Sequence, residues 1–195
     1  MKRLGLVCAF VLVSSAPSFA QEWALFTADA GAGFSAPVYS TGNQLDYGWT
    51  LNAGAGIRPI PYLGIKVDFA YNQFDMTRLA ANSFGFPRGG ERIFSFTLDP
   101  ILHLNPRGPV DFYLVGGGGV YHRSLDVHGG FFGGGVNPFF FDASDTVVKP
   151  GVNGGVGFQF GVRHGIKFYA EARYQDMFTP GRDTTWIPVT FGVRF

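Results

Sequence analysis

The sequence predicts an all-β fold, an eight-stranded antiparallel up-and-down transmembrane β-barrel, and three observations predict it. The first is alternation. Segment after segment sets apolar residues at every second position against small, polar or charged ones, as in strands with one apolar and one polar side. The second is composition. Phenylalanine (22) and glycine (29) are abundant and charged residues make up only 15%, against about 25% in a water-soluble domain. The third is the amino terminus, where Lys2 and Arg3 precede an apolar run over 4–13 and the small-residue stretch Ser18-Phe19-Ala20. That order marks a secretory signal peptide, with cleavage expected before Gln21. The run is too short for a spanning helix, which needs about 20 apolar residues. Residues 1–20 are therefore assigned to the signal and 21–195 to one barrel domain.

Cleavage removes Cys8, the one cysteine, so no disulfide, thiolate metal site or cysteine nucleophile is expected. It also lowers the basic count from 15 to 13 against 14 acidic residues, leaving a net charge of −1. No basic block is present, so nucleic acid has no electrostatic footprint to recognise.

The first strand spans 24–36, with Phe26, Ala28, Ala30, Ala32 and Phe34 on one face and Thr27, Asp29, Gly31, Gly33 and Ser35 on the other. The second, 47–57, opposes Trp49, Leu51, Ala53, Ala55 and Ile57 to Thr50, Asn52, Gly54, Gly56 and Arg58. Pro59-Ile60-Pro61 turns the chain into a third strand, with Leu63, Ile65, Val67, Phe69 and Tyr71 outside and Gly64, Lys66, Asp68, Ala70 and Asn72 inside. The fourth, 91–100, sets Phe94, Phe96 and Leu98 against Ser95, Thr97 and Asp99. The fifth, 110–123, sets Val110, Phe112, Leu114 and Val120 against Asp111, Tyr113 and Tyr121. The sixth, 145–161, sets Val148, Val152, Val156, Phe158 and Phe160 against Lys149, Asn153 and Gln159. The seventh, 166–177, sets Ile166, Phe168, Ala170, Ala172 and Tyr174 against Lys167, Tyr169, Glu171, Arg173 and Gln175. The last alternates strictly to the end of the chain. Ile187, Val189, Phe191, Val193 and Phe195 share one face, and Pro188, Thr190, Gly192 and Arg194 the other.

Each segment is near the ~9–11 residues that a tilted strand needs to cross a bilayer. Connections after the second and sixth strands are short, the one over 102–109 is intermediate, and those after the first, third, fifth and seventh are longer. This asymmetry places both termini in the periplasm and the longer loops outside the cell. No open edge is tolerated in lipid, so the eight strands are expected to close.

Side chains just fill a barrel of this size. Five acids (Asp29, Asp68, Asp99, Asp111, Glu171) and five bases (Arg58, Lys66, Lys149, Arg173, Arg194) point inward. They are expected to pair as packing that plugs the lumen. Glu171 and Arg173 sit two apart on one face, and each is expected to find its partner on a neighbouring strand.

Taken together, the signal peptide, the eight alternating segments, the Gly-rich strands and the Phe195 ending resemble the small outer-membrane β-barrel family of the OmpA transmembrane-domain and OmpX type. The resemblance covers essentially the whole mature chain. It implies residence in the bacterial outer membrane among lipid and lipopolysaccharide, as a monomer. It further implies that Phe191, Val193 and Phe195 match the terminal signal read by the barrel-assembly machinery. The periplasmic peptidoglycan-binding domain of full OmpA has no counterpart after Phe195, so a cell-wall tether is not expected.

Three local features add to this. His122-Arg123-Ser124 has the His-x-Ser spacing of lipid A deacylase barrels. Two residues apart on a strand share a face, so His122 could serve Ser124 as a base. Leu125 stands where those enzymes carry asparagine, and only Asp126 or Asp142 could orient the histidine. The stretch 126–142 reads as a Gly-rich loop carrying Phe131, Phe132, Phe139, Phe140 and Phe141, which suit either a surface contact or the interfacial aromatic girdle. Gly116–Gly119 lacks the helix and Lys-Ser/Thr pair of a phosphate cradle. His103, His128 and His164 fall on turns and loops in this reading, without metal-ligand spacing, and no cofactor is expected.

The expected function is that of a non-enzymatic outer-membrane barrel with a structural or surface-interaction role. Two alternatives follow from the same residues. One is a lipid A-modifying enzyme using His122 and Ser124. The other is a soluble periplasmic barrel, turned inside out, that encloses an apolar ligand.

Overall fold

A computed structural model describes residues 26–39, 41–43, 45–77, 88–131, 139–163, 165–179 and 183–195. Residues 1–20, the expected signal, and Phe132 and His164 lie outside them. Eight strands follow one another: β1 (Phe26–Pro37), β2 (Gly48–Ile60), β3 (Leu63–Asp75), β4 (Arg88–His103), β5 (Val110–Phe131), β6 (Phe139–Arg163), β7 (Ile166–Met177) and β8 (Thr184–Arg194). Each pairs with its sequence neighbours, and β8 returns to β1 to close the barrel. The closing seam runs antiparallel from Asp29 opposite Arg194 to Pro37 opposite Trp186.

The period-2 pattern becomes the wall. Phe26 (70% exposed), Phe96 (57%) and Val156 (58%) face outward, while Lys66 (1%) and Asp99 (0%) are enclosed. A soluble ligand barrel would reverse those positions, so the inside-out alternative is overturned. The outer face is a band of exposed aromatic and branched side chains that only lipid would cover. The backbone hydrogen bonds close around the ring, so the wall leaves no edge there.

Prolines punctuate the sheet where a backbone donor is dispensable. Pairing between β4 and β5 lapses beside Pro100, between Leu98↔Gly118 and Ile101↔Val115. Pairing between β7 and β8 lapses beside Pro188, between Ala172↔Val189 and Gln175↔Trp186. The β2–β3 and β6–β7 turns each carry a register shift, and Gly165 takes a positive φ of 84° at the second, a conformation that favours glycine.

The strands extend further than the alternation suggests. β4 covers 88–103 and not 91–100, which puts His103 at its inward-facing end and not on a turn. β5 and β6 run on as a paired hairpin to Phe131↔Phe139, so most of the expected loop over 126–142 is strand, His128 included. Glycine reads as a loop signal in sequence. Here Gly129 and Gly130 pair with Phe141 and Phe140, residues of a type that favours strands.

Candidate functional site

The interior divides into two layers. From the short-turn end to mid-barrel it is a connected lattice of charges. Lys66 Nζ lies 3.1 Å from Asp29 and 3.3 Å from Asp68. Asp68 in turn lies 3.0 Å from Arg173, whose guanidinium also meets Asp99 at 2.6 Å and donates through Nε to Glu171. Asn153 and Thr97 donate to Asp99 at 2.8 and 2.9 Å. Arg194 lies 3.4 Å from Asp29 through Nε and donates through Nη1 to Gln159 at 2.8 Å. Gln159 passes the chain to Asp111 at 2.8 Å, which is held by His103 Nδ1 at 2.7 Å and faces Arg58 at 3.7 Å.

This geometry corrects two expectations. Arg173 meets Glu171 on its own strand and Asp68 and Asp99 on β3 and β4, across the lumen and not on adjacent strands. In so narrow a barrel the long guanidinium reaches the axis, and the opposite wall is as near as the next strand. Lys149, half-buried on β6, makes no ion pair among the described residues, so the five-against-five pairing is incomplete.

Toward the long-loop end the interior centres on an apolar cluster, with buried Ser35, Asn72, Glu91 and Thr184 around it. Trp186, Phe74, Ile93, Tyr121, Met177 and Leu45 form one buried cluster, with Val147 packed against it. Trp186 meets Phe74 and Tyr121 edge-on, with ring centroids 6.4 and 5.7 Å apart, the T-shaped arrangement aromatic pairs favour. Leu45 comes from the β1–β2 connection and is pinned by a bridge to Met76. The same connection is stitched to β8 by Thr185, whose backbone N–H donates to Thr41 Oγ1 at 3.0 Å. Between the layers a cavity of about 10 Å³ lies among Thr50, Asn52, Gln175 and Thr190, room for about one water.

Of the plug, sequence reasoning placed only Tyr121 inward, and it missed the other members together with His103 and the bridging amides as lattice members. The signal was present. Phe74 continues the inward parity of Asn72, Trp186 that of Pro188, and Met177 that of Gln175. Inward tyrosines are accommodated by glycine opposite them: Tyr113 covers Gly157, and Tyr169 covers Gly31 and Gly192.

On the outer wall, His122 is exposed and its ring lies 6.2 Å from that of Phe94. It makes no hydrogen bond to Ser124 among the described residues. Asp126, one of two candidates to orient it, is ion-paired with Arg92, and Asp142 lies in β6 opposite His128. The geometry therefore brings a histidine and a serine to one face without coupling them. Phe191 and Phe195 face outward, and Phe195 exchanges backbone hydrogen bonds with Ala28 at 2.8 and 3.2 Å.

One further surface stands out. β7 pairs with β6 only from Gly151 onward, while β6 stays paired to β5 back to Phe139. Residues 139–149 therefore have no partner on that side in the backbone pairing of the described residues, and Pro150, whose carbonyl accepts from Phe178 N–H at 3.1 Å, marks the branch point. Phe131, Phe139, Phe140 and Phe141 lie at the tip of this hairpin.

A family profile for the outer membrane protein beta-barrel domain matches residues 6–195. No curated protein matches the chain by sequence. Among solved structures, the chain is similar to Neisserial surface protein A at 22% identity and a TM-score of 0.59, covering 88% of this chain and 96% of that one. It is similar to a major outer membrane protein from Thermus thermophilus at 15% identity and a TM-score of 0.56, covering 87% and 97%. It is also similar to Ail, the attachment invasion locus protein of Yersinia pestis, at 16% identity and a TM-score of 0.52, covering 88% and 100%.

Proposed function

The chain belongs to the outer membrane protein beta-barrel domain family, and from that premise we propose that it is a monomeric, non-enzymatic outer-membrane barrel that acts by presenting its long β5–β6 hairpin at the cell surface. The observation that carries this reading is the strand edge at 139–149, which has no partner on that side in the backbone pairing of the described residues. An unpaired strand edge offers backbone donors and acceptors to another chain, and proteins rarely leave one exposed without a use. The filled interior supports a structural role over conduction, because the charge lattice and the apolar plug occupy the lumen in series.

In this reading the signal is cleaved before Gln21 and the barrel-assembly machinery recognises Phe191, Val193 and Phe195. The short turns then face the periplasm and the hairpin faces outward, among lipopolysaccharide. The mature chain has no cysteine, which makes the arrangement directly testable. Thr146→Cys on the hairpin should be labelled by a membrane-impermeant maleimide on intact cells, and Tyr62→Cys on a short turn only after lysis. The reverse pattern would overturn the orientation and the role together. For the enzymatic alternative the decisive sample is lipid A from cells carrying His122→Ala or Ser124→Ala. An acyl pattern identical to that of the unmodified protein is expected, and a changed one would restore the deacylase reading.

A further inference from the structure

The short-turn mouth opens into a cavity of about 130 Å³, room for several waters or one tetrahedral oxyanion. Its polar side chains are Arg58, Lys66, His103, Gln159, Lys167 and Arg194, with Thr27 at the edge; no Asp or Glu side chain lines it, and Phe195, which carries the chain's α-carboxylate, lines it too. The acids that neutralise these cations sit behind them. Lys66 is committed to Asp29 and Asp68. Arg58 faces Asp111 and donates to the carbonyl of Pro61. Arg194 uses Nε on Asp29 and Nη1 on Gln159, while its enclosed Nη2 finds no hydrogen-bond partner among the described residues.

Lys167 is the clearest free donor. It lines the same cavity, half-buried, and makes no hydrogen bond or ion pair among the described residues. The charges acting on it are Arg58, Arg194 and Asp111, two of its own sign and one opposite. Asp111 is already shared among Arg58, His103 and Gln159. The side-chain charges of the lattice and Lys167 balance, five cations against five carboxylates, but the Lys167 ammonium and Arg194 Nη2 face the cavity with no hydrogen-bond partner among the described residues, and a donor enclosed without a partner is unfavourable until an acceptor enters. Ammonium and guanidinium groups converging on one cavity match an oxyanion that accepts several charge-assisted hydrogen bonds.

We propose that this mouth is a binding site for a phosphate-type oxyanion, held by Lys167 and Arg58 over the Arg194 side of the lattice. Two sources share that chemistry: free inorganic phosphate, and the phosphodiester headgroup of a phospholipid in the adjoining leaflet. The second is reachable because Ile57 and Ile65, which also line the cavity, belong to the lipid-facing wall. The site depends only on the closed barrel and not on what the hairpin meets.

The test uses protein extracted from membranes in a non-ionic detergent, with retention of fold confirmed by the mobility shift on boiling. Calorimetric titration with inorganic phosphate should show saturable binding that Lys167→Gln weakens at least tenfold. Lys149→Gln, another inward lysine without an ion pair but in the long-loop half, should leave it unchanged. In a second arm, nanodiscs doped with phosphatidylglycerol are compared by native mass spectrometry. Retention of that lipid, reduced at least fivefold by Lys167→Gln, would support the site with a headgroup as its source. No saturable phosphate binding together with no Lys167-dependent lipid retention would overturn the proposal. So would an equal loss in the Lys149→Gln variant, which would show a non-specific response to charge.

Discussion

Between Arg58 and Asn153 the barrel interior is a lattice of charges. Between Tyr121 and Leu45 it is a plug of aromatic and aliphatic side chains around Trp186. Both fill the same narrow lumen, yet they hold it by different physics. In the charged half each group depends on named partners, since a buried ion without its counter-charge costs far more than the pair contributes. In the apolar half the requirement is volume, and neighbours can shift to recover part of any loss. The charged half should therefore be brittle to isosteric change and the apolar half tolerant of it.

The largest effect is expected at Arg173, because one guanidinium answers Asp68, Asp99 and Glu171. Arg173→Ala should cost about 3–5 kcal/mol, measured by urea unfolding of barrels in lipid vesicles. The contrast sharpens with Asp99→Asn on the Arg173→Ala background. The double variant should be more stable than the sum of the two single losses, because the second change removes a carboxylate the first left stranded. Simple additivity would mean that the lattice is not a unit.

Next is Trp186→Ala, expected to cost about 3 kcal/mol in the same assay. Leu45 sits on a connection and not on a strand, so it can close over part of the gap. Below it comes Met177→Leu, a volume-conserving change in a fully buried position, expected to cost under about 1.5 kcal/mol. If Met177→Leu proves as damaging as Asp99→Asn alone, the division into a brittle and a tolerant half fails.

The same division explains what could be read from the sequence. The fold, the facing of every strand and the burial of Asp29, Lys66, Asp99 and Arg194 follow from period-2 alternation, which survives because lipid and lumen demand opposite chemistry of adjacent residues. The plug keeps the parity of that rule but breaks its contrast. Phe74, Ile93 and Trp186 are apolar residues on the polar side, toward the long-loop ends of their strands, so inward and outward residues there no longer differ in polarity. The hairpin was obscured for a related reason: glycines paired with phenylalanines look like a loop when no lipid-facing pattern runs through them. Contacts across the lumen, such as Arg173 with Asp99, depend on the barrel's radius, which no local spacing encodes.

Lys149 gives the smallest and most discriminating effect. By parity it belongs with the lattice, since it faces the same interior as Lys66. By position it lies beside Tyr121, on the border of the plug, half-buried and without an ion pair among the described residues. If an inward charge stabilised the barrel merely by being inward, Lys149→Gln and Lys66→Gln would behave alike. Partnership predicts otherwise. Lys66→Gln leaves Asp29 with only the more distant Arg194 and Asp68 with Arg173 alone, and should cost at least about 2 kcal/mol. Lys149→Gln strands nothing and should stay within about 0.5 kcal/mol of the parent. A larger loss at Lys149 would mean that its amine meets a carboxylate outside the described residues, and the charged layer would then extend past the plug toward the long loops.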